Sequence, residues 1–260
     1  MNKIYKFRNW EDDYHKMMLK ENIIHFASPN SFNDPFDSTI PFRYDLINKT
    51  ELTKAYCRVI KHEQPELTRQ TIRRKAREKI KKGFPTGEVY LENARKVTAD
   101  YNTKMFGIFS LTKEYQHLLM WSHYANCHRG FCVEFNYDHL IHFCTNYFLN
   151  KGKLLEVRQV TYQEKYPILI PTIEDDIEYM VRPLTIKSKL WEYEKEHRLV
   201  VYEGAKENVK LPNGIITGII LGCNMPNDHK NEIKEIADTK KINVSQSRMH
   251  YEKYALIFDY

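Results

Sequence analysis

At 260 residues, with 42% apolar and 28% charged side chains, the chain has room for one large domain or two small ones and the composition of a globular protein. Nine glycines and ten prolines exclude a low-complexity chain, and a formal charge of +6 is too small by itself to imply a nucleic-acid partner. Five cysteines without a CxxC spacing predict reduced thiols and no zinc site; with no signal core and no run near the ~20 apolar residues that span a bilayer, the expected location is the cytoplasm, with no membrane partner.

In chain order, residues 4–8 (IYKFR) set Tyr5 and Phe7 against Lys6 and Arg8, which predicts a first strand. The acidic cluster Glu11–Asp13 favours a helix start and leads into a helix through Lys20, and NIIHFA (22–27) predicts a second strand. The polar stretch SPNSFNDPFDS then crowds turn residues between Phe32 and Phe36. Two readings fit it: a buried turn anchored by those rings, or a loop that presents Ser28, Asn33 or Asp34 to a ligand. From 50 to 103 the sequence is polar and helical, an insertion or cap. Within it, residues 69–82 hold eight basic side chains against one acid, Glu78. Such a run is either a solvated helix face or a surface for phosphates.

The centre of the chain carries the densest functional groups. GIFSL (107–111) predicts a strand, and His117, Trp121, Tyr124 and His128 recur at spacings that would align them along one helix edge. Gly130 suits the residue that ends such a helix, and Phe131–Phe135 alternates like a strand. Packing residues with satisfied polar tips would look the same as a site here. A helix over 138–149 carries His139, His142 and Cys144, an incomplete ligand set, so no metal is expected. LEVRQVTY (155–162) predicts a strand and 172–183 an acidic helix.

KSKLWEYEKEHRLVVY (187–202) is the second informative stretch. A strand starting by Glu194 places Glu194, Glu196 and Arg198 on one face and His197, Leu199 and Val201 on the other. Either this is an exposed salt-bridge ladder, or it is a cleft in which Arg198 holds one carboxylate while the other does chemistry. Glu194, nearest the corner with Trp191, is the expected structural carboxylate and Glu196 the expected catalytic one. Strands over 215–221, 242–251 and 254–260 and a helix over 227–237 complete an α+β single domain (1–260). Its mixed β-sheet, whole or split, is expected to have seven or eight strands with about five helices.

NDPF at 33–36, MWSHYANCHRGFCVEF at 120–135, WEYEKEHRLVV at 191–201 and IITGIILG at 215–222 resemble a widespread bacterial family known only as a domain of unknown function. Members of that family resemble accessory proteins of phage-defence and abortive-infection loci. At the level of fold, a leading basic strand, a central strand-helix-strand and a late glutamate-bearing strand resemble the ADP-ribosyltransferase plan. That resemblance implies NAD in a cleft of a split sheet. Lys6 or Arg8 would be the first element, Ser110 with Trp121 or Tyr124 the second, and Glu194 or Glu196 the third; Arg198 joins the two glutamates as a candidate catalytic residue. Ser28, Asn33, Asp34 and His128 complete the expected cofactor-binding set. The sequence departs from the plan in lacking a Ser-Thr-Ser triplet.

The implied activity is that of a defence- or toxin-type effector, an ADP-ribosyltransferase or NAD glycohydrolase. Two other classes fit the same residues. One is a nucleic-acid-binding or nuclease effector that uses the basic 69–82 helix, with His123 or His128 beside the late carboxylates. The other is a non-catalytic regulatory partner protein within a defence system.

Overall fold

The computed structural model of the protein describes residues 2–83, 87–170 and 180–259. Strand β1 (Lys3–Arg8) forms where the basic-aromatic alternation predicts it, and α1 (Asp13–Lys20) follows, capped by the Asp12 side chain on the amides of Tyr14 and His15. After β2 (Ile23–Phe26), the 50–103 region forms three helices: α2 (Lys49–Glu63), α3 (Arg69–Lys81) and α4 (Glu88–Met105). Asn48 and Thr68 cap the first two through their side chains. The α2–α3 hairpin buries Ile60, Ile72 and Ala76 and leaves Arg73, Arg74 and Arg77 exposed.

The central unit is β3 (Phe106–Thr112), α5 (Leu118–Tyr124) and β4 (Phe131–Asn136), followed by α6 (Tyr137–Leu149). Strands β5 (Leu155–Gln159), β6 (Thr161–Gln163), β7 (Ile186–Ser188), β8 (Glu196–Tyr202), β9 (Glu207–Lys210) and β10 (Ile216–Leu221) come next. Helix α7 (Asn227–Lys240), β11 (Asn243–Met249) and β12 (Leu256–Asp259) complete the described chain. Eight strands form one mixed sheet in the order β12-β11-β10-β4-β1-β3-β8-β5, while β2 pairs β9 and β6 pairs β7. The α+β class therefore holds.

Three boundaries differ from expectation. LEVRQVTY is two strands, because the chain leaves the large sheet after Gln159 and β6 runs parallel to β7. The twelve strands among the described residues exceed the expected seven or eight in part because β6 splits from β5 and because β7 and β9, of three and four residues, carry little periodicity. The acidic helix expected over 172–183 lies largely outside the described residues, and Arg182–Leu184 forms a 3-10 turn.

Both faces of the sheet are covered. On one, Phe109, Phe131, Val133, Phe135 and Leu199 pack with Leu140 and Phe148 of α6 and Ile233 of α7. On the other, Tyr5, Phe7 and Cys132 pack against Met120 and Trp121 of α5. The sheet nearly parts in its middle: β1 pairs with β4 along all six residues but shares one residue pair, Tyr5 with Thr112, with β3. That parting positions the site.

Candidate functional site

A cleft of about 560 Å³ opens at the parting of β1 and β3 and is lined by Lys6 and Arg8 of β1, Ser110 of β3, and Glu196 and Arg198 of β8. Its volume is in the range of small-molecule and cofactor sites. Asn33 and Asp37 from the polar turn, Tyr124 of α5, Lys187 of β7 and Glu194 before β8 also line it. The 28–38 turn, the α5 helix and the late carboxylate strand thus meet in one concavity.

The floor is a network of buried charges. Strand alternation puts Glu196 and Arg198 on one face, as expected, and Arg198 donates to both oxygens of Glu196 at 2.8 and 2.9 Å. The same guanidinium donates to Asp37 at 2.8 and 2.5 Å and to the Leu184 carbonyl at 2.6 Å. Burial works against ionisation of Glu196, but Arg198 and Lys187 outweigh it and bring the carboxyl down to about 2. Ser110 also hydrogen-bonds Glu196, and the Tyr162 hydroxyl accepts from the Glu196 amide at 2.8 Å. None of this is an exposed ladder: Glu194, Glu196 and Arg198 are all buried.

Glu194 reaches the network by a different route. It ends the 3-10 turn Lys189–Glu194, and Lys195 takes a left-handed conformation (φ 43°) before β8 begins. The strand therefore starts at Glu196, two residues later than expected, and Glu194 shares no strand face with it. Its carboxylate instead accepts from Lys187 at 2.5 Å and from the Tyr124 hydroxyl. Burial raises the Glu194 carboxyl above its ordinary value, against the pull of Lys187. Lys187 also lies 3.4 Å from Glu196 and 3.7 Å from Asp37, and burial lowers its pKa less than these carboxylates raise it. The guanidinium is thus held by Glu196 and Asp37 and not by Glu194, which corrects the expected division between the two glutamates.

On the β1 side neither Lys6 nor Arg8 makes a direct ion pair among the described residues, although Asp12 acts on Arg8 and Glu196 on Lys6 from farther away. Lys6 donates to the Ser110 carbonyl oxygen, and Arg8 Nε is buried without a hydrogen-bond partner among the described residues. Burial lowers the pKa of Arg8 to about 10 and, with Arg8 as neighbour, pulls that of Lys6 well below the ordinary lysine range. A guanidinium at a cavity with a buried, unpartnered Nε is a place for an anion.

Four of the expected site residues lie elsewhere. Trp121 is fully buried, edge-on to Phe7 with Nε1 donating to the Tyr115 carbonyl at 2.8 Å, so it is a packing residue. His128 stacks on the far side of Trp121 and bonds Ser122 at 3.1 Å. It is not on the helix: α5 stops at Tyr124, and Asn126, Cys127 and His128 all have positive φ. Gly130 does not end the helix; it is needed where a Cβ would stand 2.1 Å from the Arg8 carbonyl oxygen. Ser28 is buried, its hydroxyl donating to Thr103, and Asp34 is buried, accepting from the Phe36 amide. Phe36 is 55% exposed and does not anchor the turn, whereas Phe32 lies under the Arg198 guanidinium at 5.2 Å.

Asp37 and Lys187 are central to the geometry but were not among the expected site residues. Asp37 lies three residues beyond Asp34 in the same polar turn, and no spacing rule separates the two. Lys187, one turn before Trp191, gave a weak signal: its ammonium lies 4.9 Å from that ring. Among the described residues no three His, Cys, Asp or Glu side chains group as a metal site, all five cysteines are free thiols, and no helix is long and apolar enough to cross a membrane.

A family model described as "Protein of unknown function (DUF2971)" matches residues 120–199, which include the MWSHYANCHRGFCVEF and WEYEKEHRL stretches. No curated protein and no solved structure matches the chain. The match supports the resemblance to a family of unknown function through the segment that carries α5, β4 and the Glu194–Arg198 corner.

Proposed function

We propose that the protein is an NAD-cleaving enzyme of ADP-ribosyltransferase type, acting as a transferase or as a glycohydrolase. One observation carries this reading: the first-strand cations, Ser110 and the late glutamates line a single cleft where the sheet parts. These are the three elements, in chain order, that the fold resemblance requires. Arg8, whose buried Nε has no hydrogen-bond partner among the described residues, supplies charge for a pyrophosphate.

The chemistry follows from the charge that develops. Breaking the bond between nicotinamide and ribose leaves positive charge on the sugar ring, so a fixed carboxylate beside it lowers the barrier. Glu196 is suited to that role because Arg198 and Lys187 keep it ionised. Glu194, with its raised affinity for a proton and Tyr124 beside it, is suited to take the proton of the attacking water or acceptor. Arg198, fixed by Asp37, holds Glu196 in place.

In a cell this activity would deplete NAD or modify a target, in keeping with a defence- or toxin-type effector. The test is nicotinamide release from NAD by the purified protein, and by Glu196→Gln beside it. Turnover in the wild type that falls by about 10²-fold or more in the variant is expected, as for loss of a transition-state electrostatic partner. No nicotinamide release, with NAD and a range of protein and nucleic-acid acceptors, refutes the proposal.

A further inference from the structure

The glycosidic step leaves Lys6 without a task, although its side chain lines the cleft. A lysine in a cleft that also holds Asp37, Glu194 and Glu196 ordinarily pairs with one of them. Here each is already engaged: Asp37 and Glu196 by Arg198, and Glu194 by Lys187 and Tyr124. The Lys6 amine makes a hydrogen bond to the Ser110 carbonyl and sits 4.6 Å from the centre of the Phe109 ring. Arg8, two residues on along the same strand, is a like charge, as is Arg198 beyond it. Burial and these cations both disfavour the ammonium form, and Glu196 opposes them less strongly than Arg8 does. A cleft lysine with no ion-pair partner among the described residues, its amine hydrogen-bonded only to a main-chain carbonyl, is suited to act as a nucleophile rather than a counter-ion.

We infer that Lys6 and Arg8 form a covalent site for a phosphorylated aldehyde or open-chain sugar phosphate, Lys6 Nζ taking the carbonyl carbon as an imine and Arg8 holding the phosphate. The amine lone pair attacks the carbonyl carbon, and the C=O π electrons move to oxygen, which gains a proton as nitrogen loses one. The resulting carbinolamine expels that oxygen as water and the C=N bond forms, with no oxidant or reductant needed. The inference goes beyond the NAD reading and does not depend on it.

The test uses the full chain with pyridoxal 5′-phosphate, followed by borohydride reduction and peptide mass mapping. A single adduct at Lys6 is expected, in competition with inorganic pyrophosphate. It should be absent in Lys6→Arg, which keeps a cation and a donor. In Arg8→Gln it should be reduced about tenfold at limiting reagent, for the loss of a charge-assisted phosphate contact. Melting curves of both variants check that they fold, and pyridoxal without its phosphate should label Lys6 poorly. Label spread over surface lysines with Lys6 unmodified overturns the inference. So does Lys6 labelling that neither the phosphate nor Arg8 affects. Because labelling needs no NAD turnover, a protein that labels at Lys6 yet leaves NAD intact loses the proposed function and keeps this site, and the opposite pair of results does the reverse.

Discussion

Replacing Arg198 by Met removes the guanidinium that Asp37 and Glu196 share while keeping an unbranched stem of similar reach. Arg198 is 1% exposed and gives two hydrogen bonds to each carboxylate, so the variant leaves two buried anions with Lys187, at 3.7 and 3.4 Å, as their remaining ion-pair partner. Breaking a buried pair costs about 3–5 kcal/mol, and because Lys187 retains part of the pairing we take ~3 kcal/mol. At about 2–4 °C per kcal/mol for a chain of this size, the melting temperature should fall by roughly 6–12 °C. The loss should also depend on pH. In the wild type the Glu196 carboxyl sits at about 2, below its ordinary 4.5, so its contribution is present above 4.5 and disappears as pH falls through 2. Without Arg198 burial lifts the Glu196 carboxyl above its unfolded value, and protonation relieves the strain. The gap between variant and wild type should therefore narrow from pH 7.5 to pH 5. Thermal melts followed by circular dichroism at both pH values measure it, with urea m-values as a check on two-state unfolding. A melting temperature within about 2 °C of wild type at pH 7.5, under 1 kcal/mol for a chain of this size, would refute the reasoning, as would a gap that pH does not change.

Glu196→Gln and Glu194→Gln should differ in kind. The first weakens a bidentate pair and leaves Arg198 to Asp37, costing about 2–3 kcal/mol, whereas in the second the amide oxygen still accepts from Lys187, the amide N–H can donate to the Tyr124 hydroxyl, and Lys187 keeps Glu196 and Asp37, costing about 1 kcal/mol; paired melts check this, and equal losses would show that the two carboxylates are interchangeable. Reversing Arg73, Arg74 and Arg77 of α3 to Glu tests the nucleic-acid alternative. If α3 meets phosphates, affinity for single-stranded DNA falls and the salt dependence flattens by about 0.7 in slope for each phosphate no longer neutralised, read by fluorescence anisotropy across a salt series. Unchanged binding, or none in the wild type, makes α3 an ordinary solvated face.

Regular elements were legible where the pattern was local. The alternation in IYKFR, the capped basic helix and the Phe-Val-Phe strand all stand where their periodicity put them. The helix expected to carry both Trp121 and His128 failed for a tertiary reason. Three consecutive left-handed residues at 126–128 turn the chain back on the helix end, the Cys127 and His128 amides donating to Ser122 and Trp121 at 3.2 Å, and a distant backbone group, the Asn224 amide, holds the His128 carbonyl at 3.0 Å. Nothing within the helix window encodes that partner. In the site, Glu196 and Arg198 were readable because i and i+2 share a strand face, which is local. Asp37 joins them across 161 positions, and only the folded chain selects it over Asp34.

The position of β1 in the middle of the sheet sets the order in which the protein can be assembled during synthesis. Its long ladder is with β4, where Arg8 meets Phe131, so β1 leaves the ribosome well before its partner exists. At about 5–20 residues per second that wait is roughly 6–25 seconds. Throughout it the strand shows Ile4, Tyr5 and Phe7, all buried in the finished fold, with its backbone groups unpaired. Such a segment is a template for pairing with another nascent chain, and charges within an exposed strand oppose that pairing. Lys6 and Arg8, set between and after those apolar residues, therefore guard the unfinished chain before they line the cleft of the finished one.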